Sequence, residues 1–191
     1  MAGVAGPMVR HSRADGTRFL LALTIGGLAA GVVLAVPVFL LGHLIERLVP
    51  LPARLVLVAG LAVAFAVADL RNRTPHVWRQ VPQSLARVLP PGTLGLVWGF
   101  DLGLLFTTQK TVSLLWLGLG AVLLLQPSAA AWALLTFAFA ASAVVSMWSF
   151  TPMATALQER WSPTWMRRIR RVSGSALMLV ALAATARALL S

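Results

Sequence analysis

The chain has 191 residues, of which 59% are hydrophobic and 11% are charged, and its formal net charge is +11. So few charged residues exclude an ordinary soluble domain, whose surface must carry more of them, and predict an integral membrane protein. The absence of cysteine excludes disulfides, thiol relays, cysteine nucleophiles and cysteine-based metal sites.

Apolar runs long enough to cross a bilayer follow a basic amino-terminal tail at residues 1–18. A bilayer core about 30 Å thick needs roughly 20 apolar residues per helix. Four ordinary spans meet this length: Phe19–Leu44, Pro52–Asp69, Ser128–Phe150 and Val172–Leu190. No small-residue cleavage site follows the first run, so we expect it to be retained as a membrane helix.

The run Gly92–Gln126 is too long for an ordinary span, because it would measure roughly 52 Å as one straight helix. The positive-inside rule favours one net crossing, since a second crossing would place the RRIRR cluster at residues 167–171 outside the cell. One crossing gives five spans with the amino terminus in the cytoplasm. We therefore predict an all-α, integral membrane helical bundle of five transmembrane helices with a long third helix.

This third helix can accommodate its length by tilting, by protruding or by breaking near TTQKT, and a break is the interpretation we favour. Backbone leaves the helix at membrane depth only where protein or water satisfies its hydrogen bonds, so a break predicts a polar cavity. The predicted organisation is a membrane hairpin at 19–70, a cytoplasmic loop at 71–91, a second hairpin at 92–150, a basic loop at 151–171 and a last helix at 172–191.

Polar residues within this long run form the predicted site for a solute or an ion. They are Asp101, Thr107, Thr108, Gln109 and Lys110. A carboxylate in a membrane helix often marks an ion, proton or substrate pathway, and the alternative is a static pair or a protonated side chain. On a regular helix Lys110 lies about 13 Å from Asp101, so pairing requires the break. Alternatively, Lys110 extends its ammonium group to the membrane interface.

Glycines spaced four residues apart in the first and in the third span predict that another helix packs closely against each of these spans. They are Gly27, Gly31, Gly95, Gly99 and Gly103. Such spacing leaves a stripe without side chains, on which a second helix can approach closely. Helix packing, rather than ligand binding, is the interpretation that we favour for these positions.

Arginine and tryptophan are mixed in ERWSPTWMRRIRR, which precedes the last span. An arginine near an anionic leaflet contributes about 1 kcal/mol, and tryptophan favours the headgroup layer. We therefore predict that this segment contacts lipid head groups through Arg160, Trp161, Arg167, Arg168, Arg170 and Arg171. No aromatic-basic module for reading bases is present, so we expect no nucleic-acid partner.

Catalytic motifs are absent, and the five acidic residues lie far apart, so we expect neither an enzyme nor a cofactor. His43, Glu46 and Arg47 lie at the outer end of the first span, where His43 and Glu46 are one turn apart. Two ligands are too few for a metal ion, and we favour an interfacial polar cluster over a metal site.

The segment RQVPQSLARVLPPGTLGLVWGFDLGLLFTT resembles small actinobacterial membrane proteins that have an Arg-Gln-x-Pro loop, a Gly-x-x-x-Gly helix and a Thr-rich break. Its helix pattern resembles the cytochrome c biogenesis and thiol-disulfide interchange family, within the lysine-exporter-like superfamily. That resemblance implies a related fold. The family's broken helices carry a Pro-Cys motif where this chain has TTQKT, so its reductant relay does not carry over.

These observations predict a multi-pass protein of the bacterial plasma membrane that transports a small solute, or a solute coupled to protons, at the broken helix. The alternative is a non-catalytic accessory or assembly subunit of a larger membrane complex. The expected partners are membrane lipids and either other membrane subunits or a second copy of the chain.

Overall fold

The computed structural model of the chain describes residues 8, 10–75, 83–105, 112–150 and 163–190. Its helices are α1 (Arg13–Leu48), α2 (Leu51–Leu70), α3 (Pro91–Gly103), α4 (Leu114–Leu125), α5 (Ala130–Phe150) and α6 (Pro163–Leu190). Short 3-10 segments lie at Gln83–Arg87 and Pro127–Ala129. No strand occurs among these described residues, and the predicted all-α fold is confirmed.

Prolines fix where α2 and α3 begin. Pro50 occupies the cap position before α2 with extended backbone (φ −64°, ψ 153°), and Pro90 does the same before α3 (φ −63°, ψ 154°). A second proline lies in the first turn of each helix. Proline has no backbone N–H, and the first turn of a helix has no acceptor for one, so proline is well suited to these positions.

Four of the described helical segments are long and apolar enough to cross a membrane. They are Arg13–Leu48, Leu51–Leu70, Pro127–Phe150 and Trp165–Leu190. Each contains or overlaps one of the four predicted ordinary spans. The last helix begins at Pro163, ahead of the predicted start at Val172, because arginine is a good helix former and hydropathy marks only the apolar part of a helix.

The long apolar run is interrupted, as its length predicts. The first half, α3, ends at Gly103, and the second half, α4, begins at Leu114. Beyond α3, Leu105 adopts the left-handed backbone conformation (φ 61°), which a right-handed helix cannot contain. With 13 and 12 residues, α3 and α4 measure about 20 and 18 Å, so neither alone spans a bilayer core about 30 Å thick.

The chain divides into two compact units. Unit 1 contains Met1–Leu34, Val77–Gln109 and Trp132–Trp161, and unit 2 contains Ala35–His76, Lys110–Ala131 and Ser162–Ser191. The core of unit 1 is a cluster of large side chains from α1 and α3: Phe19, Leu20, Leu23, Leu94 and Trp98. The rings of Phe19 and Trp98 meet edge to face, with centroids 5.9 Å apart.

Small residues dominate the core of unit 2. Its buried members come from α2, α4 and α6: Val58, Ala59, Ala62, Ala66, Leu117, Leu124, Leu177, Ala181 and Ala184. A Cβ at Gly174 of α6 would lie 3.2 Å from the carbonyl oxygen of Ala66 on α2. The alanines and this glycine therefore let α2 and α6 approach closely.

Candidate functional site

Asp101, the predicted intramembrane carboxylate, lies near the end of α3 in unit 1. It is buried, with 9% of its surface exposed. The other four residues of the predicted solute site, Thr107, Thr108, Gln109 and Lys110, lie outside the described residues. The pairing of Asp101 with Lys110 therefore stays a prediction.

Three of the predicted packing glycines line the face of α3 that meets α1. A Cβ at Gly95, Gly99 or Gly103 would overlap the backbone carbonyl oxygen of Phe19, Leu23 or Gly27, respectively. Backbone atoms cannot rotate away as a side chain can, so only glycine fits at these contacts. Because the contacts advance in the same direction along both helices, α3 runs parallel to α1.

The other two predicted glycines, Gly27 and Gly31, lie where α1 meets α5. A Cβ at Gly27 would lie 3.2 Å from the Oγ of Ser142, and a Cβ at Gly31 would lie 3.3 Å from the carbonyl oxygen of Leu134. The contacts advance in opposite directions, so α5 runs antiparallel to α1. In unit 1, α1 therefore contacts both α3 and α5 at close range.

Unit 2 contains a polar site that the sequence analysis did not single out. Asp69 lies at the C-terminal end of α2 and is fully buried. Its Oδ1 accepts hydrogen bonds from the hydroxyls of Thr74 and Ser113, both at 2.7 Å. Its Oδ2 accepts bonds from the Ser173 hydroxyl at 2.6 Å and from the Ser113 N–H at 2.9 Å. We refer to Asp69 and these three partners as the Asp69 site.

The end of α2 has the local geometry that brings Thr74 to Asp69. The N–H of Asn72 donates to the Asp69 carbonyl at 3.0 Å, and the N–H of Arg73 donates to the Ala68 carbonyl at 2.7 Å. These two bonds, with Asn72 in the left-handed conformation (φ 56°), form a Schellman motif. Asparagine tolerates this conformation better than most residues. The motif turns the chain back, so that the hydroxyl of Thr74 reaches the carboxylate of Asp69.

Ser113 contributes to the site from the residue that precedes α4. Its hydroxyl does not cap α4 but donates to Asp69, as does its N–H. Unpaired N–H groups give the beginning of a helix a partial positive charge, which stabilises a nearby carboxylate. The beginning of the second half of the broken segment thus helps to hold the buried acid.

Two further bonds fix the turn around the site. The guanidinium of Arg170 on α6 donates to the carbonyl of Asn72 at 3.2 Å. The indole N–H of Trp116 on α4 donates to the carbonyl of Pro75 at 3.1 Å. Both α4 and α6 therefore bind backbone carbonyls of the turn that follows α2, in addition to the bonds that Asp69 accepts.

In the part of the chain that the structure describes, three hydroxyls and one backbone N–H donate to the Asp69 carboxylate. Among the described residues, no lysine, arginine or histidine lies within ion-pair distance of it. A hydroxyl can donate or accept a hydrogen bond, whereas a guanidinium or ammonium can only donate. The site can therefore satisfy either an ionised or a protonated carboxyl group by rotation of a hydroxyl.

A second polar cluster in unit 2 surrounds Glu46 on α1. Nδ1 of His43 lies 2.9 Å from Oε2 of Glu46, and Arg54 on α2 donates to Oε1 at 3.1 Å. Arg54 also donates to the carbonyl of Leu124, near the end of α4, at 2.9 Å. Within the described part of the chain, no group of three His, Cys, Asp or Glu residues lies together as metal ligands would.

The predicted headgroup-binding arginines that the structure describes lie on the first turns of α6. Arg167, Arg168 and Arg171 are exposed, and Arg170 is half-buried. Arg160 and Trp161 lie outside the described residues.

No model of a protein family matches this chain, and searches of curated proteins and of solved structures also found no match. The resemblance to the cytochrome c biogenesis and thiol-disulfide interchange family therefore stays a prediction, and the functional argument depends on the geometry of the site.

The sequence does not predict the Asp69 site, because Asp69 marks only the end of the predicted span Pro52–Asp69. Its partners Ser113 and Ser173 are 44 and 104 residues away in the sequence, so no spacing pattern connects them. One signal was present, since Asp69 is the only acidic residue in the apolar stretch that forms α2. An acid at that position needs buried partners or access to water.

Proposed function

We propose that the chain is a multi-pass protein of the bacterial plasma membrane that moves protons across the membrane, with Asp69 as the group that binds and releases the proton. The observation that carries this proposal is a fully buried carboxylate that, among the described residues, is held by hydroxyls and a backbone N–H rather than by cations. Buried acids in membrane proteins often mark proton or ion pathways.

The hydroxyl shell suits a group that changes its protonation state. In the ionised form, Asp69 accepts bonds from Thr74, Ser113 and Ser173. When Asp69 binds a proton, it becomes a donor, and one of these hydroxyls rotates to accept from it. No heavy atom needs to move. An arginine in place of these residues would hold the carboxylate ionised, because it offers no lone pair.

The break in the third membrane segment also supports this function. In many transporters, discontinuous helices present their ends to ions and substrates near the middle of the membrane. Here Ser113, at the beginning of the second half, donates two of the four hydrogen bonds that Asp69 accepts. A change in the protonation of Asp69 would therefore act directly on the beginning of α4.

The geometry of unit 1 supports one net crossing of the third segment, and the positive-inside rule favours a cytoplasmic amino terminus. The parallel α3 and the antiparallel α5 bring the beginnings of α1 and α3 and the end of α5 to one end of the unit. A cavity there is lined by Arg13 of α1 and Phe150 of α5. Two crossings by the third segment would place Arg13 and Phe150 on opposite sides of the membrane.

Proton uptake by proteoliposomes tests the proposal. The full chain is reconstituted with an internal pH-sensitive dye, and a potassium diffusion potential drives protons inwards. We expect uptake above that of empty liposomes, and at least about a tenfold loss in Asp69→Asn, which keeps the size of the side chain but cannot carry the proton. The matched control is Asp15→Asn, because Asp15 is 43% exposed. Uptake by the wild type at the level of empty liposomes would overturn the proposal.

An accessory subunit is the second candidate, and the saturation of Asp69 favours it. A carboxylate that accepts four hydrogen bonds from the described residues can have a purely structural role, in which it holds α2, α4 and α6 together. In that case the wild type moves no protons, and a stoichiometric partner copurifies with it in mild detergent. Asp69→Asn would then lower the abundance of the complex without affecting any flux.

A further inference from the structure

A cavity of about 530 Å³ lies at one end of unit 1, between the beginning of α1 and the end of α5. Its lining residues are Arg10, Arg13, Thr17 and Phe150. This volume falls in the range of about 300–1,000 Å³ that is typical of small-molecule sites. The cavity lies in the unit that does not contain Asp69.

The two arginines of this cavity have no acidic partner in the part of the chain that the structure describes. Among the described residues, neither Arg10 nor Arg13 takes part in an ion pair, whereas Arg18 approaches Asp15 at 3.8 Å. The turn that carries Arg10 is held by a hydrogen bond from the N–H of Ser12 to the carbonyl of Met8 at 2.9 Å. Two guanidinium groups therefore line one cavity without a carboxylate partner.

Guanidinium groups bind phosphate well, because their planar N–H groups form paired hydrogen bonds with its oxygens. The hydroxyl of Thr17 donates its proton to the carbonyl of Arg13 at 2.8 Å, so the guanidinium groups are the donors that this cavity offers to an anion. The cationic side of the cavity thus selects an anion.

The other wall is apolar and distinguishes an amphiphile from a free ion. Phe150 is 61% exposed and ends the apolar helix α5, while the apolar sequence of α1 follows Arg18. A free phosphate ion obtains no favourable binding energy from contact with the phenyl ring of Phe150. A phospholipid gains from both walls, because its phosphodiester meets the arginines while its glycerol and acyl carbons meet Phe150.

We infer that this cavity binds the head group of an anionic phospholipid from the cytoplasmic leaflet, with Arg10 and Arg13 as the phosphate ligands. The site uses residues other than the arginines of α6. It rests on the proposed membrane location but not on the proton chemistry of Asp69, so a loss of lipid binding and a loss of proton flux are distinguishable results.

Native mass spectrometry of the full chain in mild detergent tests this site. After incubation with equal amounts of phosphatidylglycerol and phosphatidylcholine, the wild type is expected to retain phosphatidylglycerol preferentially. In the double variant Arg10→Gln/Arg13→Gln, the ratio of retained phosphatidylglycerol to phosphatidylcholine is expected to fall about tenfold, because the substitutions remove two charge-assisted contacts. Arg18→Gln removes the same type of charge outside the cavity and is expected to keep the preference. The thermal unfolding midpoint of each variant verifies that it is folded.

Three results would overturn the inference. The first is equal retention of both lipids by the wild type. The second is an equal loss in Arg18→Gln and in the double variant, which would indicate a general effect of surface charge. The third is displacement of the bound lipid by millimolar inorganic phosphate, which would identify a site for the free anion. In contrast, Arg10→Lys/Arg13→Lys is expected to bind with intermediate preference, because lysine keeps the charge but lacks the paired geometry.

Discussion

The two units hold their helices together by different means. In unit 1, α3 lies so close to α1 that a Cβ at Gly99 would overlap the backbone of Leu23. In unit 2, three helices meet at the carboxylate of Asp69, which accepts bonds from Ser113 and Ser173. Lipid is as apolar as a leucine side chain, so apolar contact alone does not drive helices together in a membrane. Close backbone packing and buried hydrogen bonds are two alternatives. Unit 1 depends on the first, whereas unit 2 combines the small-residue contact of α2 and α6 with the second.

This difference predicts two kinds of sensitivity. Unit 1 should respond to the volume of a substituted side chain, because its contacts have no free space. Unit 2 should respond to the loss of an acceptor, because its donors are buried. Each of the following substitutions tests one side of the comparison.

The largest effect is expected for Asp69→Ala. This change leaves three hydroxyls and one N–H buried without their acceptor, and we expect the free energy of unfolding to fall by about 3–5 kcal/mol. Denaturation by sodium dodecyl sulfate, followed by tryptophan fluorescence, measures the loss. The control is Asp15→Ala, for which we expect a change below about 1 kcal/mol, because Asp15 makes only an exposed pair with Arg18. Similar losses in both variants would show that the Asp69 hydrogen bonds do not hold unit 2 together.

The next effect is expected for Gly99→Ala in unit 1. The added Cβ would lie 2.7 Å from the carbonyl carbon of Leu23, so α1 and α3 must separate. We expect the free energy of unfolding to fall by about 2 kcal/mol. Gly118→Ala is the matched control, because no atom lies within 4 Å of a Cβ at that position. Alanine is the better helix former, so the same denaturation experiment should show no loss for Gly118→Ala. Equal tolerance of both changes would contradict the role of the glycine stripe.

The smallest effect concerns the turn that builds the Asp69 site. Asn72 is exposed and has the left-handed conformation, which costs about 1 kcal/mol for most residues with a side chain. We expect Asn72→Ala to lower the free energy of unfolding by about that amount. Asn72→Gly should cause no loss, because glycine adopts this conformation readily. If both variants unfold like the wild type, the Schellman motif does not set the stability of this turn.

The features that could be predicted from the sequence are those with a local signal. Apolar length predicted where the long helices lie, and the excess length of Gly92–Gln126 predicted that this segment cannot be one ordinary helix. Four-residue spacing drew attention to Gly95, Gly99 and Gly103, and each of them lies against a backbone carbonyl. Residues four apart lie on the same face of a helix, so their spacing in the sequence predicts a shared contact even when the fold is unknown.

The Asp69 site had no such signal. It assembles Asp69 from one helix, Ser113 from the residue before a second helix and Ser173 from a third. Serine is common in membrane helices, and nothing in its local sequence marks which serine donates to a distant acid. The local pattern therefore points to Asp101 and Lys110, which are close in sequence, and not to the acid whose partners are distant.

The stripe of α3 has a mechanical consequence. Its glycines repeat every four residues, and so do the carbonyls of Phe19, Leu23 and Gly27 that they meet. Sliding by four residues, about 6 Å, would set Gly95 on Leu23 and rebuild the same kind of contact, whereas any smaller displacement would press side chains against backbone. The spacing of the contacts therefore favours changes in the register of α3 on α1 in steps of four residues, in either direction.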